Sequence, residues 1–151
     1  MRVFLIFCLI SIFTKVQSQT IDPKIPNANV RVSFLLFPFT PLLTFEVRTF
    51  GNVTLQLETN FVNIHGANLK YFTKDRMNGN YVFLGTAFVE DKTLRKDLAT
   101  TILPYVGYGY AHRFGNNKSW TFDSRLGIGP TINADKNGIH PIIKTGIGKT
   151  F

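Results

Sequence analysis

The chain has 151 residues, 44% of them hydrophobic and 14% aromatic, while only 17% are charged; that balance excludes a disordered chain and leaves room for about one domain. The formal net charge is +8, but no basic run is interleaved with aromatics, which argues against nucleic acid and for anionic lipid headgroups as the acidic neighbours. No stretch reaches the roughly 18 consecutive apolar residues that a membrane-spanning helix needs.

In chain order, Arg2 precedes an apolar run from Val3 to Phe13, followed by Lys15, Val16, Gln17 and Ser18. A basic start, a short apolar stretch and small residues at the −3 and −1 positions of a cut after Ser18 predict a cleaved signal peptide over residues 1–18. The single cysteine, Cys8, lies inside that apolar run, with apolar sequence continuing beyond it. It is badly placed for a lipid anchor, and its loss with the signal peptide would leave the mature chain without disulfides. Residues 19–29, with Asp22, Pro23, Pro26 and two asparagines, read as a lead-in.

From residue 30 to residue 151 a period of two dominates, and this is the expected barrel domain. Eight strands are predicted, at Val30–Phe37, Pro41–Phe50, Val53–Asn63, Ala67–Thr73, Asn80–Val89, Thr101–Phe114, Ser119–Asn133 and Pro141–Phe151. The clearest is the seventh: Trp120, Phe122, Leu126, Ile128, Pro130 and Ile132 oppose Thr121, Asp123, Arg125, Gly127, Gly129 and Thr131, the mark of a two-faced strand. Gly, Asn, Asp and Pro clusters separate the strands and give short connections. The predicted fold is all-β, an eight-stranded antiparallel up-and-down barrel, because closure removes exposed sheet edges.

Alternation does not say which face is wet. A soluble lipocalin-like binder would keep its apolar face inside around a ligand, whereas an outer-membrane barrel turns that face to lipid. Three features favour the membrane. The polar face carries charges of both signs at mid-strand, Glu46, Arg48, Glu58, Asp123 and Arg125, with Lys70, Arg113 and Lys144 on less regular strands. These are expected to pair across adjacent strands in a plugged lumen. The same face holds Gly107, Gly109, Ala111, Gly127, Gly129, Gly146 and Gly148, small residues that make room for large neighbours. If both termini are periplasmic, Phe50, Tyr71, Tyr81, Phe83, Tyr110, Phe114, Trp120, Phe122 and Phe151 fall at one level, as an interfacial girdle requires.

Leu43-Thr44-Phe45-Glu46-Val47-Arg48, Leu69-Lys70-Tyr71-Phe72, Asn78-Gly79-Asn80-Tyr81-Val82 and the terminal strand ending in Phe151 resemble segments of the small outer-membrane β-barrel proteins of Gram-negative bacteria, of an eight-stranded type. The resemblance spans nearly the whole mature chain. It implies outer-membrane localisation, contact with outer-membrane lipid and lipopolysaccharide, a monomer, and Phe151 as the signal read by the outer-membrane barrel insertion machinery. The third residue from the end, usually aromatic or aliphatic in that signal, is here Lys149.

Catalysis, cofactors and metal are not expected. His65, His112 and His140 lack metal-ligand spacing and have no cysteine to join them. His112 with Ser119 or Ser124 would be the sharpest enzyme arrangement, as in outer-membrane lipid A deacylases, but His112-Arg113-Phe114 does not reproduce that motif. Gly127-Ile128-Gly129 and Gly146-Ile147-Gly148 are strand alternations rather than phosphate loops. Asn52-Val53-Thr54 and Asn117-Lys118-Ser119 match the short N-glycosylation pattern. The expected role is structural, interaction or envelope integrity, without a large pore.

Overall fold

A computed structural model describes residues 27–36, 39–74, 77–91, 99–132 and 138–151. The expected signal peptide and most of the lead-in lie outside these residues. Eight strands follow one another, β1 (Ala28–Leu36), β2 (Phe39–Phe50), β3 (Val53–Thr59), β4 (Ile64–Phe72), β5 (Gly79–Asp91), β6 (Ala99–Phe114), β7 (Trp120–Pro130) and β8 (Ile139–Thr150). Each pairs antiparallel with the next, and β8 returns to β1 to close the barrel. The predicted class and strand count are therefore those of the structure.

Boundaries shift at several places. The strand expected from Val30 starts at Ala28, because Asn27 and Ala28 N–H groups donate to the Phe151 carbonyl and draw the end of the lead-in into the sheet. The strand expected to reach Asn63 stops at Thr59. There the Asn60 side-chain oxygen accepts from the N–H groups of Val62, Asn63 and Ile64 and turns the chain. Pairing of β6 with β7 runs from Phe114 to Val106 and resumes only at the isolated Ile102–Ile132 bridge. The gap brackets Pro104 and Pro130, neither of which has an N–H to give.

Following the register from Ala28 through Val47, Leu55, Leu69, Leu84, Val106, Ile128 and Pro141 carries the circuit past the far end of the β1–β8 pairing, which stops at Leu35–Lys144, so the closed sheet is strongly staggered. Such a stagger goes with strands tilted by roughly 35–45° and an interior just wide enough for side chains. Pleating then sorts residues strictly by parity. Arg31 and Lys70 are each 1% exposed, whereas Leu84 and Leu126 are 62% and 59% exposed. The apolar face points outward. A lipocalin-like binder is thereby not favoured, since its cavity would be lined with apolar side chains, whereas this interior carries seven buried charged groups beside its aromatic cluster.

The inner wall fits large side chains to glycines. A Cβ on Gly109 would lie 2.3 Å from Tyr81 Cζ, and one on Gly107 would lie 2.6 Å from Phe83 Cζ. We expect Gly109→Ala to cost about 1–3 kcal/mol through overpacking, read by urea unfolding in detergent micelles. The outward Ser124→Ala should stay within about 0.5 kcal/mol. Equal stability of both variants would mean that Tyr81 is not packed against that wall.

Candidate functional site

Among the described residues, buried polar chemistry concentrates in the lumen. Strand parity on β1, β2, β3, β4, β7 and β8 turns Arg31, Glu46, Gln56, Glu58, Lys70, Asp123, Arg125 and Lys144 inward, all of them buried. Around mid-depth, Arg31 Nη2 donates to Glu46 Oε2 at 2.6 Å and to Gln56 Oε1 at 3.1 Å. Arg31 Nη1 lies 3.3 Å from Asp123 Oδ2. Lys70 Nζ bridges Glu46 Oε2 at 3.3 Å and Asp123 Oδ2 at 3.0 Å. Thr54 Oγ1 donates to Glu46 Oε1 at 2.6 Å, and the Tyr81 hydroxyl donates to Asp123 Oδ2 at 2.8 Å.

A second cluster centres on Glu58. The Arg125 guanidinium pairs with its Oε1, and Lys144 Nζ donates to its Oε2 at 2.6 Å. Gln56 joins the clusters, since its Nε2 donates to Glu58 Oε1 at 2.6 Å while its Oε1 accepts from Arg31. An aromatic column, Phe72, Tyr81, Phe83 and Tyr105, runs beside them with ring centroids 5.0, 6.1 and 5.9 Å apart. Three cations sit over its rings: Lys70 Nζ 4.4 Å from the Tyr81 centroid, Arg125 Cζ 5.3 Å from Phe83 and Lys144 Nζ 5.4 Å from Tyr105. In a water-poor interior such stacking adds to the ion pairing.

Of the five charges singled out in the sequence, Glu46, Glu58, Asp123 and Arg125 meet in this network. Arg48 does not. It sits half-buried beside the register shift between Arg48 and Phe50, and its Nη1 is buried without a hydrogen-bond partner among the described residues. Arg31 was not singled out, although Asn29, Arg31 and Ser33 alternate with Val30, Val32 and Phe34 in plain sequence. Pairing also differs from the adjacent-strand expectation. Among the described residues only Arg31–Glu46 joins neighbouring strands, whereas Arg125–Glu58, Lys144–Glu58 and Lys70–Asp123 cross the lumen.

Two members of the expected girdle are corrected. Tyr81 and Phe83 are 0% and 2% exposed and belong to the lumen column, because their parity on β5 puts them on the inner face. Phe50, Tyr71, Tyr110, Phe114, Trp120, Phe122 and Phe151 remain exposed on the outside. Arg113 also leaves the lumen set: its Nε and Nη2 donate to the Lys118 carbonyl at 3.2 and 3.0 Å in the following turn.

The histidines have other company. The His112 ring stacks on the outer face between Tyr110 and Phe114, 6.3 and 6.4 Å away. Ser119 Oγ donates to the Asn116 carbonyl within its turn, and Ser124 pairs in register with Tyr110. His65 Nδ1 lies 2.9 Å from Thr59 Oγ1. Among the described residues no group of three or more His, Cys, Asp or Glu is placed to hold a metal ion.

The architecture is similar to a solved one. The crystal structure of the N-terminal β-barrel domain of Pseudomonas aeruginosa OprF has a TM-score of 0.56 to this chain at 14% identity, covering 83% of this chain and 96% of that one. At that identity the likeness is one of fold. No protein family and no curated protein matches the sequence.

Removing one partner of a buried pair strands the other charge, at about 3–5 kcal/mol. Glu58→Gln, which leaves both Arg125 and Lys144 uncompensated, and Arg125→Ala should each show that loss in micelle unfolding. Arg48→Gln should change stability by no more than about 0.5 kcal/mol. If Glu58→Gln unfolds like the wild type, the lumen is open to bulk water.

Proposed function

We propose that the chain is a small outer-membrane β-barrel with a structural, interaction or envelope-integrity role, exported by its signal peptide, without catalysis and without a large pore. One observation carries this reading. The side chains that most need water, Arg31, Glu46, Lys70 and Arg125, are buried, while Leu69, Leu84, Val106, Leu126, Ile128 and Ile147 are exposed around the wall. That inversion is costly in water and favourable in hydrocarbon. Closure of the sheet supports it as well, since lipid leaves no unpaired strand edge tolerable.

The likeness to the OprF barrel domain supports the architecture. In this reading the outer wall contacts outer-membrane lipid and lipopolysaccharide, the chain works as a monomer, and the exposed Phe151 is the element that the barrel insertion machinery reads. The lumen network is a plug. It pairs each of its three carboxylates with two cations and fills the cross-section, so steady porin-like currents in planar bilayers would contradict the proposal.

The direct test is folding yield in phospholipid vesicles against yield in plain buffer, followed by circular dichroism. Folding should require lipid or detergent. Leu126→Arg, midway along β7, should cost roughly 2–4 kcal/mol in vesicles, and Trp120→Arg at the strand end about 0–1 kcal/mol. Equal folding of the wild type in buffer would sink the membrane assignment.

A further inference from the structure

Charge outside the lumen is distributed by end. Among the described residues, Lys74, Arg113, Lys118 and Lys149 all lie at the end that carries the chain termini, with half-buried Arg48 beside them. The carboxylates among the described side chains are elsewhere: Glu46, Glu58 and Asp123 in the lumen, Glu90 at the opposite end of β5. Among the described residues, the terminal end of the wall carries side-chain cations and no side-chain carboxylate.

Two of these cations flank one tryptophan, Lys149 in register with it on β8 and Lys118 two residues before it in the turn. Trp120, the single tryptophan, opens β7 on the outer face, opposite Phe114 of β6 and Lys149 of β8. Its indole lies against Gly115, where an added Cβ would be 3.1 Å from Trp120 Cδ1 at a φ of +79°, a conformation that favours glycine. Lys118 is exposed in the same turn, and the two hydrogen bonds from Arg113 to its carbonyl fasten that turn to β6. Lys149 Nζ lies 5.9 Å from the Phe151 ring centroid, so a second aromatic flanks the site.

An amphipathic ring at headgroup level beside two lysines suits a phosphate ester that lies in a bilayer surface. A zwitterionic headgroup brings its own ammonium group and is repelled as much as it is attracted. An acidic headgroup is not. We propose that Trp120, Lys118 and Lys149 form a site for the headgroup of an acidic glycerophospholipid in the leaflet that the terminal end occupies. Arg113 is a positioning residue that fixes the turn. This rests on the membrane reading above.

Trp120 is its own reporter. The full chain is folded into phosphatidylcholine vesicles containing, at equal mole fraction, either brominated phosphatidylglycerol or brominated phosphatidylcholine, and bromine quenching of Trp120 fluorescence is measured. The acidic lipid should quench more strongly. That preference should fall about five-fold with each of Lys118→Gln and Lys149→Gln, shrink in high salt, and survive Lys74→Gln at the β4–β5 turn. Equal quenching by the two lipids in folded wild type overturns the site and leaves the membrane reading intact. A loss in Lys74→Gln as large as in Lys149→Gln would also overturn it, by showing a diffuse field. Failure of the wild type to leave buffer for either vesicle is a failure of the membrane reading instead.

Discussion

Between β1 and β8 the last pair of strands in the ring exchanges the hydrogen bonds that turn a sheet into a tube. Closure removes every strand edge and at the same time fixes an interior of set width, filled by side chains alone. The pleat gives each strand only two directions. Once the apolar residues of β3, β5, β6 and β7 go outward, the charged and aromatic residues between them have nowhere else to go but the lumen.

Charges forced together in this way must answer one another. Glu46, Glu58 and Asp123 each take more than one cationic partner, and the neutral Gln56 links the two clusters by accepting on one side and donating on the other. Buried ion pairs give little net stability, because desolvation offsets attraction. Their role here is selective: a one-residue slip of a strand would turn its charges to the outer face and leave their partners unpaired. Glycines opposite Tyr81 and Phe83 complete the fit, since a methyl group at those positions meets a ring.

The wall carries its own polarity. Aromatics occur at both ends, with Phe39, Phe61 and Phe88 exposed at one and Phe50, Tyr71, Trp120 and Phe151 at the other. Among the described residues the surface cations share only the terminal end. In the membrane reading proposed above, the rings set the depth at which the barrel rides, while the asymmetry of charge distinguishes one bilayer surface from the other.

Strand number, antiparallel order and the sorting of residues into two faces were legible in the sequence, because parity is a local property of an extended chain. Ser119 to Asn133 displays it without help from any neighbour, and so do Glu46, Glu58, Asp123 and Arg125 on their strands. Distance from a turn assigns Tyr81 and Phe83 to the girdle, but their parity on β5 places them on the opposite face. What only the tertiary structure decided is who meets whom. Glu58 meets Arg125 and Lys144, and Lys70 meets Asp123, across the lumen. Arg31 enters both an adjacent pair and a distant one. Such partners depend on the stagger accumulated around eight strands, a sum over the whole ring that no single segment encodes.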